Sequence, residues 1–299
     1  MNKGVVLALA SYAVFSCADA AIKAAGGRLH VAEMTLILTV FSCLAVFFAK
    51  PRQERWGDML RMQRPGLVLA RMCAAVGAGL ASAYAFTTLP LADAYSLIFL
   101  LPLFVAAFSF FYLRERTNLA RLVGLMFGLA GVLLVVRPGF RELLPGHLAA
   151  VSTALSGALS LLMLRVIGRT ERQVTLLGTL MLGSLVVNGV ITLFVFEWPT
   201  MHELMLLALC GLLAGAGHLL IMAATRNAPA NRIGPMQYSQ IVWAVVLGGL
   251  LFDELPDAIA LAGIGLVLLS GVLNFLPAQK SEAVAVFSEP VPAPQHPES

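Results

Sequence analysis

Residues 90–124 read PLADAYSLIFLLPLFVAAFSFFYLRERTNLARLVG, and residues 229–263 read PANRIGPMQYSQIVWAVVLGGLLFDELPDAIALAG. At a constant offset of 139, Pro90 falls on Pro229, Glu115 on Glu254, Leu122 on Leu261, Gly124 on Gly263 and, just beyond, Leu129 on Leu268. Each copy places a proline before an apolar run, a glutamate at its end and a glycine inside the next run. Chance similarity between greasy helices does not reproduce all three spacings together, so the chain reads as a duplication.

Outward from these copies the whole chain is apolar. Of 299 residues 59% are hydrophobic and 12% charged, against a globular norm of about 25% charged, and the mean hydropathy is +0.87. Ten segments between Gly4 and Leu276 approach the ~20 residues that cross hydrocarbon as a helix, the fourth at Ala92 to Leu113 and the ninth at Ile233 to Phe252. Short alternating segments, as a barrel requires, are absent. Pro51, Pro65, Pro90, Pro138, Pro199, Pro229 and Pro256 sit at or near the segment ends, where a missing N–H costs least. The expected fold is an all-α polytopic membrane protein of ten transmembrane helices. Five per half is odd, so the halves enter the membrane in opposite orientation, as inverted repeats do. The first repeat is expected over 3–138 (helices 1–5) and the second over 147–276 (helices 6–10). Residues 277–299, polar and proline-rich, are expected to be a disordered cytoplasmic tail.

Alternating loops receive 16 Lys and Arg on one side and 4 on the other, which puts both termini in the cytoplasm of a bacterial inner membrane. The net charge of +4 forms no basic patch, so nucleic acid is not an expected partner. Cys17, Cys43, Cys73 and Cys210 lie inside apolar runs without metal-ligand or disulfide spacing. HExxH, GxSxG and P-loop patterns are missing, so neither an enzyme nor a primary ATP-driven pump is expected, and no cofactor.

Phe111-Tyr-Leu-Arg-Glu115-Arg-Thr through Gly131, and Leu251-Phe-Asp-Glu254-Leu-Pro through Gly271, resemble the paired signature of EamA-type members of the drug/metabolite transporter superfamily. The second copy departs from the usual Glu-Arg pair, carrying Leu255 after Glu254. Arg28-Leu-His30 with Glu33, and Gln237-Tyr238, are similar to bacterial members that take up S-adenosylmethionine; related members handle riboflavin, amino acids and other solutes. The resemblance implies alternating access through a central cavity lined mainly by helices 1, 3, 4, 6, 8 and 9.

Ionisable groups at membrane depth face protein or water, which selects the candidate site. On helix 1, Tyr12, Ser16, Asp19 and Lys23 share one face, with Asp19 and Lys23 one turn apart and able to pair. They either bind the solute or a coupling proton, or form an interfacial pair with Lys23 reaching water. At an offset of 140, Ser156 on helix 6 takes the place of Ser16, while Asp19 and Lys23 fall on Leu159 and Met163. Helix 9 offers Gln237, Tyr238, Gln240 and Trp243 as donors and stacking surface for a planar solute, or as interhelical and interfacial anchors. His218 on helix 8 is a candidate ligand or an interhelical donor, Tyr95 a gate or a belt residue, Asn188 a cross-bundle hydrogen bond, and Glu254 an organiser of loops or opposing charge. The expected function is secondary transport of a small organic metabolite, with uptake of a planar heteroaromatic metabolite or vitamin of the riboflavin or S-adenosylmethionine kind preferred. The alternatives are an amino-acid or drug exporter, and a non-transporting scaffold or membrane-embedded enzyme. Besides solute and bilayer, a coupling proton or other ion and a second copy of the chain are candidate partners.

Overall fold

A computed structural model of the chain describes residues 3–47, 55–113, 119–137, 142, 144–168, 170–228 and 230–275. Pro51, Pro138, Pro229, Glu115 with Arg114 and Arg116, and the tail from Pro277 lie outside the described residues. Every regular element among the described residues is helical: α1 (Lys3–Ala25), α2 (Val31–Phe47), α3 (Pro65–Thr88), α4 (Leu91–Ile98), α5 (Leu101–Leu113), α6 (Leu119–Val136), α7 (Pro145–Ile167), α8 (Gln173–Val195), α9 (Met201–Asn227), α10 (Ala230–Ile233), α11 (Ser239–Phe252) and α12 (Ala258–Phe275), with 3-10 turns at Trp56–Asp58 and Gly234–Tyr238. At 1.5 Å per residue the 23 residues of α1 reach about 34 Å, enough for the hydrocarbon. Six segments are long and apolar enough to cross by themselves, and four shorter apolar stretches complete the ten.

Local chemistry sets the helix ends. Pro65 and Pro145 occupy first-turn positions of α3 and α7, where no N–H is needed. Thr200 and Glu203 form a reciprocal cap on α9: the Glu203 N–H donates to Thr200 Oγ1 at 3.2 Å, and the Thr200 N–H donates to Glu203 Oε2 at 2.7 Å. Asp253 ends α11 with a left-handed φ of 56°, and the Glu254 N–H closes back on the Gly248 carbonyl at 3.0 Å.

Two expected spans are not continuous. The fourth breaks at Phe99 and Leu100 between α4 and α5, because Pro102 has no N–H to give the Ile98 carbonyl and its ring crowds that oxygen. The ninth starts as the 3-10 turn around Pro235 before becoming α11 at Ser239. At the 139 offset these breaks coincide, since Phe99 corresponds to Tyr238. The two rings stack on each other with centroids 4.8 Å apart and planes 25° apart.

The packing is that of two inverted five-helix repeats. α2 packs on α8, α4 on α11 and α6 on α12, so these helices meet their own counterparts; α1 on α9 is matched by α7 on α3. Contacts within each self-pair run antiparallel. Along α6, Gly128 faces Ser270, Gly131 faces Val267 and Val135 faces Gly263 on α12, so numbers rise on one helix as they fall on the other. A Cβ at Gly263 would stand 2.6 Å from the Gly131 carbonyl oxygen, so only a residue without one permits this crossing.

Candidate functional site

A cavity of about 410 Å³ lies between α1, α2 and α3 of the first half and α8 and α9 of the second. Its polar side is built from two helical stripes. Thr35, Thr39 and Ser42 fall at i, i+4 and i+7 on α2, and Ser184 and Asn188 at i, i+4 on α8. The stripes touch where the Thr39 and Ser184 hydroxyls meet at 3.0 Å, and Asn188 Nδ2 donates to Ser184 Oγ at 3.0 Å. Asn188 is 2% exposed, and its Oδ1 has no hydrogen-bond partner among the described residues. Phe15 and Asp19 of α1 and His218 of α9 line the same cavity. Among the described lining residues Asp19 alone is an Asp, Glu, Lys or Arg.

A chain of donors holds Asp19 from behind. Gln240 Nε2 donates to the Tyr95 oxygen at 3.3 Å, and the Tyr95 O–H donates to Asp19 Oδ2. Tyr95 is fixed by its neighbours, with the Phe86 and Phe99 rings at centroid distances of 5.3 and 6.1 Å. Ser16 donates to the Tyr12 carbonyl one turn back at 3.0 Å and also lies within hydrogen-bonding reach of Tyr95. Tyr95, Gln240 and Ser16 therefore support the carboxylate and do not line the cavity.

The expected Asp19–Lys23 pair does not form, because each group meets a better placed partner across the bundle. Lys23 Nζ lies 2.8 Å from Glu254 Oε1, donates to the Leu89 carbonyl at 2.6 Å and stands 5.3 Å from the Phe252 ring centroid. The left-handed turn at Asp253 brings Glu254 back to this position. At the same end Arg137 pairs with Asp257. Arg28 joins Glu203 at 2.5 Å, Glu197 at 3.4 Å and the Trp198 carbonyl at 2.8 Å. The hydrogen bond that Arg28 donates to Glu203 raises the Arg28 pKa above its ordinary value, so this cross-link stays ionised. A second cavity of about 570 Å³ sits at this end, lined by Arg28, His30, Tyr84 and Glu197 among others, and shares no lining residue with the first.

Of the residues selected from sequence, Asp19 and His218 line the main cavity. His218 meets the Phe15 ring edge-on at 5.0 Å, and its Nδ1 lies 2.7 Å from the Ala214 carbonyl; donation there leaves Nε2 as an acceptor. Tyr12 is half-buried beside Phe15, and Ser156 is half-buried on α7 away from the cavity. Gln237 is exposed, Tyr238 is buried under Phe99, and Trp243 is 38% exposed; none of the three lines the cavity. The cavity thus uses the second and seventh spans in place of the fourth, sixth and ninth. The α2 and α8 stripes were missed, although their signal was present as hydroxyl residues at helical spacing within apolar runs. Asn188 bonds along its own helix to Ser184 rather than across the bundle.

Comparison with known proteins adds to this geometry. The chain is 30% identical over 191 residues to solute carrier family 35 member G1 of Mus musculus, a match covering 58% of this chain and 51% of that protein. It spans about half the length of that carrier. It is 24% identical over 265 residues to the pseudopaline exporter CntI of Pseudomonas aeruginosa, covering 88% and 92% of the two chains. Identity is 24% over 258 residues to an S-adenosylmethionine uptake transporter of Rickettsia bellii, covering 85% and 86%. A crystal structure with 18% sequence identity superposes with a TM-score of 0.64 over 90% of this chain and 95% of its own, which establishes likeness of fold. The model of the EamA-like transporter family matches residues 2–137 and again 144–276, one match to each five-helix half, and the chain belongs to that family.

Proposed function

We propose that the chain is a secondary transporter that carries one small organic metabolite by alternating access through the cavity between its halves. The observation that carries this reading is the relation of cavity to closure. The cavity runs from Asp19, Ile22 and Thr35 down to Gln173 at the first turn of α8, while Lys23, Arg28 and Arg137 make ion pairs across the opposite end. A solute site between the halves, with cross-half ion pairs at Lys23 and Arg28 beyond one end and at Arg172 and Asp58 beyond the other, supports a carrier whose halves part at either end in turn. The excess of Lys and Arg at the cavity's end supports a cytoplasmic position for that end and for both termini, in a bacterial inner membrane. Repeat boundaries near 3–138 and 147–276 follow the same division.

The metabolite carries a flat heteroaromatic portion, for which the Phe15 and His218 rings supply a wall; the helix 9 aromatics do not reach the cavity. The protein named for S-adenosylmethionine uptake supports import, and the exporter named for pseudopaline supports the opposite flux as the second reading. A proton is the proposed coupling ion. Proteoliposomes containing the purified chain, assayed with labelled S-adenosylmethionine and riboflavin under an imposed proton gradient, test the proposal. Gradient-dependent accumulation of either supports it, and liposomes that move neither solute in either direction refute the assignment to these metabolites.

A further inference from the structure

We infer that the main cavity takes its solute as an organic cation, sharing the cation's N–H donors between Asp19 and Asn188, and excludes anions. This deepens the transport reading above and rests on it. The volume of about 410 Å³ falls within the range of roughly 300–1,000 Å³ that small organic ligands occupy. Its electrostatics are one-sided. Asp19 is the sole formally charged group among the described lining residues, and its carboxylate accepts only from Tyr95 among the described residues.

The cations that might have balanced it are committed elsewhere. Lys23 is bound to Glu254 and the Leu89 carbonyl, Arg28 to Glu197 and Glu203, and Arg137 to Asp257. Arg71, one turn from the lining residue Ala75 on α3, gives one guanidinium N–H to the Leu176 carbonyl at 3.2 Å, leaves Nε without a partner among the described residues, and does not line the cavity. An anion entering here would meet a carboxylate in a poorly solvated space with no Lys or Arg among the described lining residues, which is strongly unfavourable.

The second observation is independent of charge. Asn188 Oδ1 is an acceptor, 98% of its residue surface is covered, and it has no donor among the described residues. Its amide orientation is set by Nδ2 donating to Ser184, which keeps the oxygen as the unused atom. A buried acceptor without a donor costs free energy that a ligand N–H recovers. Carboxylate on α1 and carbonyl on α8 together make an acceptor-only subsite, suited to a protonated amine that can give hydrogens to both.

Four probes sharing one indole ring test this on the full chain in nanodiscs, with affinities read by equilibrium dialysis. They are tryptamine, the quaternary cation N,N,N-trimethyltryptammonium, neutral tryptophol and anionic indole-3-acetate. Tryptamine should bind roughly tenfold to a hundredfold more tightly than tryptophol, the range of a hydrogen bond to a charged group. Indole-3-acetate should bind most weakly. Asp19→Asn should erase the tryptamine advantage while leaving tryptophol binding, which also reports that the variant is folded. Asn188→Ala should weaken tryptamine and leave the quaternary cation, which has no ammonium N–H, unchanged. Indole-3-acetate binding as tightly as tryptamine, equal affinity for all four probes, or binding of none overturns the inference. The expected order without flux of any probe across proteoliposomes would remove the transport reading and leave the charge selection; flux of indole-3-acetate through the cavity would do the reverse.

Discussion

Glu254→Gln should release the sealed end. The Lys23 and Glu254 side chains are 11% and 27% exposed, and their 2.8 Å contact joins the end of α1 in the first half to the turn after α11 in the second. Breaking a fully buried pair by removing one partner costs ~3–5 kcal/mol, whereas a surface pair contributes ~0–1 kcal/mol. This pair lies between those limits, and Lys23 retains the Leu89 carbonyl after the change, so a loss of ~2 kcal/mol is expected. If the pair exists only while this end is closed, that loss shifts the conformational equilibrium toward opening by about 30-fold. The assay is the labelling rate of a single cysteine placed at Ala83, which lines the cavity, in a cysteine-free background. A membrane-impermeant maleimide is added from the Lys23 side. Labelling should rise by about that factor, and a Lys23→Glu, Glu254→Lys exchange should recover part of the closure. A rate unchanged by Glu254→Gln would refute the reasoning, because it would mean the pair survives opening or does not hold the end.

Asp19→Asn should lower transport at least about tenfold while surface abundance stays normal, as expected for loss of one charged hydrogen-bond partner; full transport by this variant would remove Asp19 from the site. Gly263→Leu should disrupt the α6–α12 crossing, since its Cβ would already stand 2.6 Å from a backbone oxygen, and cost ~1–3 kcal/mol, read as a lowered melting temperature in detergent. Single cysteines at Arg61 and Leu255 should label from opposite faces of the membrane, the first from the cytoplasm, and labelling of both from one face would contradict the inverted arrangement. If the coupling ion is a proton, an uncoupler should abolish accumulation of labelled solute without altering equilibrative exchange; accumulation that survives it points to another driving force.

The repeat was legible because its markers are the residues that constrain backbone: a proline where a helix begins, a glutamate where it ends, and glycines where helices cross. Pro102 and Pro235 were passed over because each lies within an apolar run, where hydropathy alone continues across a break. Asp19 and His218 were legible because polar atoms in lipid need a destination. The partners of Asp19 and Lys23 were not, since i, i+4 spacing pairs these two with each other, whereas Tyr95 reaches Asp19 from 76 residues away and Glu254 reaches Lys23 from well over 200. Thr39, Ser184 and Asn188 are modest individually and become a polar wall only when the antiparallel meeting of α2 and α8 is known.

The stacked Phe99 and Tyr238 occupy each other's place when the halves are exchanged. A carrier that swaps its two states by swapping the roles of its halves leaves that contact untouched, so it is a fulcrum and not a lock. The bond between Lys23 and Glu254 has no such mirror image, because the corresponding positions hold Met163 and Glu115. The other mouth is held by a different pair, Arg172 Nη1 with Asp58 Oδ2 at 3.1 Å, whose arginine is 48% exposed. The empty carrier should therefore rest lopsidedly, favouring the state in which the better shielded bond is made.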